Sequence, residues 1–376
     1  MHPDVVAARR AAGRPAPERL KSEAASSLSE GGRAVSLPLF PLLDERARGA
    51  RFFAHRARNV LNPPESTGIG CWSFNPYVGC EFGCTYCYAR FAHRYVLERA
   101  RDSGRVTSRE FTSLRGPHGW EGFEHDIFVK ERDAVLAALD RELPRLMSRN
   151  RSGDGETLLI GSATDPYQPA ERRFEVTRAA LERLLRERGL TISVITKSSL
   201  VCRDTELLAA LTERHRVLVN MSLICTDAKL LKLLEARSPA PHVRLRTVQR
   251  LTDRGVCTGI LVAPVLPGLT DSVEKLRSLL EAAKAHGARF AHPSPLRLYP
   301  AVRTLLLPVL EKRFPSLAAR YREVYHGLGR APKEYHAALR QRFERLAQVV
   351  GLPTESERRA TAGVEQQLNL WPEQRP

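Results

Sequence analysis

Runs apolar on both faces recur along the chain and alternate with amphipathic stretches. They lie at 72–79 (WSFNPYVG), 157–163 (TLLIGSA), 191–197 (TISVITK), 216–223 (RVLVNMSL), 257–265 (CTGILVAPV) and 289–295 (RFAHPSP). A parallel sheet covered by helices asks for such runs, because neither strand face meets water. The helices between them have readable ends. Phe174, Leu181 and Leu184 share one face of a helix that stops at Gly189. Val273, Leu276 and Leu280 share one in a helix opened by Asp271, with Glu274 three residues on, and closed by Gly287. Six βα units are too few for a complete eight-stranded barrel. The pattern predicts an α/β fold, an open partial (β/α)6 barrel, with a doubly wound sheet as the structural alternative. In either fold, function belongs at the C-terminal strand ends, where CEFGCTYC follows the first run, SATDPYQP the second and ITKSS the third.

Around this core the pattern fades. Residues 1–50 are rich in Pro, Ala, Ser, Gly and Arg without sustained periodicity, and predict a disordered basic arm, with order beginning near Arg51. The core spans 51–300 and contains a Gly-bearing insertion at 101–125, read as a lid or substrate loop on the same rim. Residues 301–352 predict a basic helical extension, and 353–376 a flexible tail.

Composition adds two points. With 376 residues and 43% hydrophobic content, one large domain forms a core without disulfide staples. No run approaches the ~18 apolar residues of a membrane span, and the N-terminus lacks the apolar segment of a secretion signal. The expectation is a cytoplasmic protein with no membrane contact, where clustered thiols are metal ligands or catalysts. Lys and Arg number 59 against 42 Asp and Glu, a net charge of +17, which points to a polyanionic partner and first to nucleic acid. Arg340, Arg342 and Arg345, with Lys333 and His336, offer one basic side of the extension. Solvated helix faces such as LERLLRERG account for part of the excess.

Three of the seven cysteines, Cys80, Cys84 and Cys87, stand as C-x3-C-x2-C with Gly79 and Gly83 among them. A structural zinc site wants four protein ligands, whereas three thiolates on a cubic iron-sulfur cluster leave one iron open for chemistry. Zinc, with Cys71 or His93 as fourth ligand, is the competing reading.

This spacing, with Tyr86 before the third cysteine, resembles the signature of the radical S-adenosylmethionine (radical SAM) enzymes. The string NPYVGCEFGCTYCYAR is similar to the branch containing spore photoproduct lyase, and TDPYQP, ITKSSLVCRD, VNMSL and GILVAPVLPGLTD continue the likeness over about residues 55–350. The resemblance implies a partial (β/α)6 radical SAM barrel, a [4Fe-4S] cluster on the three cysteines, and reductive cleavage of S-adenosyl-L-methionine to a 5′-deoxyadenosyl radical, with an external electron donor. It also implies that Tyr86 flanks the adenine and that Ser162, Thr164 and Asp165 contact the methionyl ammonium. Lys197 is implied for the methionyl carboxylate and Ser222 for the ribose. The branch carries a hydrogen-returning cysteine before its Ser/Thr-Asp; here that position is Ala163, and Cys202, Cys225 and Cys257 are the remaining candidates.

The function expected is a lyase-like radical enzyme acting on nucleic acid, DNA before RNA, in repair. The rivals are radical modification of RNA or a protein side chain, and a non-enzymatic zinc-stabilised nucleic-acid-binding protein. At the C-terminus Gln367, Leu368, Asn369, Leu370 and Trp371 resemble the bacterial sliding-clamp-binding motif, so the clamp is a further expected partner.

Overall fold

The computed structural model describes residues 41–46, 49–67, 69–102, 104, 107–115, 121–149, 156–325 and 329–354. Most of the expected basic arm, and the tail with its clamp-like motif, lie outside the described residues.

In chain order the strands are β1 (Leu42–Glu45), β2 (Arg51–His55), β3 (Leu61–Asn62), β4 (Trp72–Phe74), β5 (Tyr77–Val78), β6 (Asp126–Lys130), β7 (Thr157–Ile160), β8 (Thr191–Thr196), β9 (Arg216–Ser222), β10 (Cys257–Val265) and β11 (Ala291–Pro295). The larger sheet runs β11-β10-β9-β8-β7-β4-β3, parallel from β4 to β11 with β3 antiparallel at one edge. Its six parallel strands fall in the six apolar runs. Their order in space is their order in the chain, without the reversal of a doubly wound sheet, so the partial (β/α)6 barrel is the fold. The smaller sheet, β1-β2-β6-β5, takes β5 and β6 from the connection between β4 and β7.

The helices are α1 (Pro64–Thr67), α2 (Phe91–Asp102), α3 (Ser108–Arg115), α4 (Arg132–Arg149), α5 (Glu171–Phe174), α6 (Val176–Leu184), α7 (Thr205–Thr212), α8 (Ala228–Leu234), α9 (Pro241–Thr252), α10 (Val273–Ala285), α11 (Pro300–Arg313), α12 (Pro315–Val324) and α13 (Lys333–Val350). Apolar strand residues such as Ile160, Val194, Val219 and Ile260 meet Leu181, Leu184, Leu276 and Leu280 of the helices in one buried core. Each fully buried side chain of this size contributes about 1.5–3 kcal/mol. Register then levels the strand tips: Ile160 pairs with Val194, Thr196 with Met221, and Ser222 with Leu261.

Several local expectations change. Order begins before Arg51, because β1 pairs antiparallel with β2. The insertion 101–125 is not simply a loop: α2 reaches Asp102, α3 follows, and a short turn spans Glu121–Glu124. The helix expected through Phe174 to Leu184 breaks at Glu175, whose φ is +49°. Glu171, in the turn before, accepts from the Thr177 and Arg178 N–H groups at 3.0 and 3.1 Å and so starts α6 anew. The N-cap of α10 is Ser272, which accepts from Lys275 N–H at 3.3 Å. Asp271 instead accepts from Gly268 N–H at 2.7 Å and from the Tyr335 phenol at 3.1 Å, tying α13 to the barrel. Arg342 serves the same junction, donating to the Asp271 carbonyl at 2.8 Å, which takes it from the proposed basic face; Arg340 and Arg345 remain exposed. Nor is the tail loose from 353 onward. Pro353 accepts from Ala291 N–H at 3.1 Å and Thr354 bridges Ala291, covering the outer edge of β11.

Candidate active site

The cysteine loop follows β5. Gly79 turns it with φ +94°, and a Cβ there would lie 2.8 Å from the Phe123 carbonyl and 2.9 Å from Ile127 Cδ1. Only glycine gives both the conformation and the room. The Thr164 hydroxyl donates to the Gly79 carbonyl at 2.6 Å and Gln168 Nε2 to the same oxygen at 3.1 Å, while Gln168 Oε1 accepts from Glu81 N–H at 2.9 Å. Cys80 N–H donates to the Phe123 carbonyl at 2.8 Å, and two tight turns, Gly83 N–H to Cys80 and Cys87 N–H to Cys84, curl the chain at 3.2 Å each. Cys80 and Cys84 end up buried and Cys87 half-buried, with all three in the wall of one cavity.

That cavity, about 1110 Å³ including its open mouth, lies at the C-terminal ends of the parallel strands. Tyr86, Ser162, Thr164, Asp165, Lys197 and Ser222 line it with the three cysteines, so the residues that the resemblance assigns to the cluster and to S-adenosylmethionine reach the same space. Asp165 Oδ1 accepts from the Thr196 hydroxyl at 2.7 Å and Tyr167 N–H at 2.9 Å, and Oδ2 from Lys197 N–H at 2.7 Å. Burial raises its carboxyl pKa, and these donors oppose the rise. The bond to Tyr167 is the local turn expected of an Asp before proline. Three donors still leave one of about four acceptor sites for a ligand. The Lys197 ammonium stands 5.7 Å above the Tyr86 ring.

Electrostatics at the thiols bear on what they hold. Burial pushes Cys80 well above the ordinary thiol range, helped by Asp165 and the other two thiols. It pushes Cys84 up to about 12 against the opposing charge of Lys197, and raises Cys87 as well. The shifts follow from burial; a metal group on these sulfurs would displace their protons. Among the described residues no three His, Cys, Asp or Glu side chains converge on one point as a single ion requires. A donor set of three thiols in one cavity wall suits iron-sulfur chemistry.

The alternative ligands fall elsewhere. His93 is fully buried with Nε2 3.1 Å from the Asp126 carbonyl, and Cys71 packs with Ile69, Leu159 and Leu261; neither lines the cavity. Among the described residues no fourth cysteine lines it either. Cys257 begins β10, at the end away from the tips. Ala163 N–H is held by Asn75 Oδ1 at 2.8 Å.

Sequence reasoning missed the residues that brace this site. Gln168 is fully buried; its visible signal was a lone amide between prolines in TDPYQP. Asn75, which also donates to the Ser162 hydroxyl at 2.9 Å, opens the string NPYVGCEFGCTYCYAR but was given no role. The Tyr86 phenol donates to Glu235, which pairs with Arg244, and Arg244 in turn donates to the Ser222 carbonyl at 2.9 Å. Both charges are buried, and nothing local in the sequence marks them as such. Tyr88 lines the cavity and donates to the Ser162 carbonyl.

Comparison with known proteins follows this geometry. Residues 74–280 match the radical SAM superfamily. An uncharacterized protein of Mycobacterium tuberculosis is 32% identical over 275 residues, 73% of each chain. Another from Methanocaldococcus jannaschii is 26% identical over 216 residues, 57% of this chain and 68% of its own. Among solved structures, a spore photoproduct lyase mutant superposes with a TM-score of 0.55 at 15% identity, covering 80% of this chain and 79% of that one. Spore photoproduct lyase complexed with dinucleoside spore photoproduct gives 0.53 at 15% identity over the same shares. At that identity the two structures speak for the fold.

Proposed function

Because the chain belongs to the radical SAM superfamily, we propose that this enzyme acts on nucleic acid, DNA before RNA, in a lyase-like repair reaction in the cytoplasm. Its cofactors are a [4Fe-4S] cluster and S-adenosyl-L-methionine. The observation that carries the reading is the meeting of Cys80, Cys84 and Cys87 with Tyr86, Ser162, Thr164, Asp165, Lys197 and Ser222 in one cavity wall. The three cysteines would hold the cluster. When bound, and given one electron from an external donor, it supplies reductive cleavage of S-adenosylmethionine to methionine and a 5′-deoxyadenosyl radical, which takes a hydrogen atom from substrate.

The chain's own residues bind and orient. Asp165, with Ser162 and Thr164 beside it, offers the acceptors for the methionyl ammonium, and the Lys197 ammonium offers the complement of the carboxylate. Tyr86, held through Glu235 and Arg244, presents its ring to the adenine, and Ser222 its hydroxyl to the ribose. Gln168, Thr164 and Gly79 keep the cysteine loop in one geometry, which matters because reactivity depends on placement within fractions of an ångström. The net charge of +17 supports a nucleic acid substrate, as does the likeness to a lyase whose structure holds a dinucleoside lesion. Ala163 favours a second reading, radical modification of RNA or a protein side chain, because no thiol stands there to return hydrogen.

The test is anaerobic reconstitution followed by metal analysis and chromatography for 5′-deoxyadenosine with candidate substrates. Four iron and four sulfide per chain, with product formation lost in Cys84→Ala, is expected. One zinc without sulfide, or an unimpaired Cys84→Ala, refutes the assignment. The sequence of 367–371 supports a tether to the bacterial sliding clamp; calorimetry of a 361–376 peptide against purified clamp, with Leu370→Ala plus Trp371→Ala as control, decides it.

A further inference from the structure

The inward face of α2 is spoken for: His93, Leu97 and Ala100 are buried, the latter two in a cluster with Phe53, Phe111 and Phe128. Its outward face is unusual. Among the described residues the exposed large aromatic side chains are Phe91 and Tyr95, at 40% and 55% exposure, and they lie on this one helix in contact with each other. Their ring centroids are 5.7 Å apart at 81°, and Phe91 is 6.3 Å from Tyr88 at 37°. Residues 88, 91 and 95 follow the three- and four-residue spacing that aligns side chains along a helix. The row therefore starts at a ring in the cavity wall and climbs out to solvent. Tyr88 is held in place through its bond to the Ser162 carbonyl.

Among the described residues neither outer ring belongs to a buried cluster, and leaving them in water forfeits the stabilisation that burial would give. Guanidinium groups accompany the row, one of them in an ion pair. Arg94 lies between Phe91 and Tyr95 in sequence with a half-exposed side chain, paired to Glu98 at 2.5 Å, and Arg297 lines the cavity beside Tyr88. Aromatic faces in series beside cations are what sequence-tolerant binding of unstacked nucleotides requires. Each base stacks on a ring and the phosphates lie near the cations. Paired bases inside a duplex do not offer their faces, so the rings suit unpaired ones.

We propose that Phe91 and Tyr95 form a stacking platform for unpaired nucleobases, continuing through Tyr88 into the cavity, so that the enzyme engages its substrate where bases are unpaired. This rests on the nucleic-acid reading above and narrows it.

The test uses the full reconstituted chain and fluorescence anisotropy with a labelled single strand of about 12 nucleotides, within the span such surfaces cover, as DNA and as RNA, and with the matching DNA duplex. Phe91→Leu and Tyr95→Leu keep apolar bulk and remove the ring. Each is expected to weaken single-strand binding roughly 5- to 150-fold, the equivalent of about 1–3 kcal/mol per stacked base. Duplex affinity and 5′-deoxyadenosine formation without nucleic acid should stay at the parent level, and Tyr95→Phe should bind like the parent. Parent protein that binds nucleic acid while both leucine variants match it overturns the platform and leaves the nucleic-acid reading standing. Equal losses on single strand and duplex, or a Tyr95→Phe as weak as Tyr95→Leu, also overturn it. Parent protein that binds neither form removes the nucleic-acid reading and the platform with it.

Discussion

The Asp165 carboxylate braces the tips of β7 and β8 and also lines the cavity, where the proposed function gives it the methionyl ammonium. Asp165→Asn should retain the cluster yet lower S-adenosylmethionine affinity by about 1.5–3 kcal/mol, a factor of roughly ten to a hundred, because a charge-assisted acceptor is lost. It should also lower the melting temperature, since an amide NH2 would replace one oxygen that now accepts from N–H or O–H groups. Thr196→Val is the control: it removes one brace and should cost stability of about 0.5–1.5 kcal/mol without the same loss of affinity. Equilibrium dialysis showing unchanged binding in Asp165→Asn, with an intact cluster spectrum, would leave Asp165 a brace alone. Glu235 and Arg244 make a different case, because both are out of water. Glu235→Leu strands a buried guanidinium and should cost about 3–5 kcal/mol, whereas adding Arg244→Met should restore most of that stability in urea melts. S-adenosylmethionine affinity should not return with it, since the Tyr86 ring and the Ser222 carbonyl remain untethered. Recovery of both together would make the pair a packing element only.

At the scale of elements, the cysteine loop is held from two sides, by the turn at Phe123 ahead of β6 and by Thr164 and Gln168 after β7. Gly79→Ala places a Cβ against both the Phe123 carbonyl and Ile127 at a left-handed φ. The expected cost is about 1–3 kcal/mol with a fall in iron bound per chain after reconstitution, and full iron loading would show that the loop tolerates displacement. The loop also shows what local sequence conveys. Its cysteine spacing, its glycines and its place after an apolar run are local features, and all were legible. The caps were less so. Asp271 was a reasonable N-cap until Tyr335 of α13 claimed its carboxylate, and the helix through Phe174 was continuous until Glu171 reached Thr177 and Arg178.

For the whole molecule, a net charge of +17 predicts a salt-sensitive complex. If the surface neutralises about 6–10 phosphates, affinity for nucleic acid should drop by a factor of about 10³–10⁵ between 50 and 200 mM salt. A flat dependence would mean that the excess charge is spread over solvated helix faces such as those read in the sequence. The sequence by itself conveyed the six strand runs and the grouping of three cysteines behind the first of them, because each rests on residue types and spacings within a few positions of one another. The order of the strands in space, which chose the barrel over the doubly wound sheet, came from the pairing. The side at which chemistry occurs followed from the handedness and polarity common to all βα units. Only the tertiary structure decided what braces the site. Gln168 meets Glu81 across 87 positions, and Glu235 meets Tyr86 across 149. Such partners leave no local mark, since a buried charge and a solvated one have the same letter, and which of them is desolvated depends on packing around residues far apart in the chain.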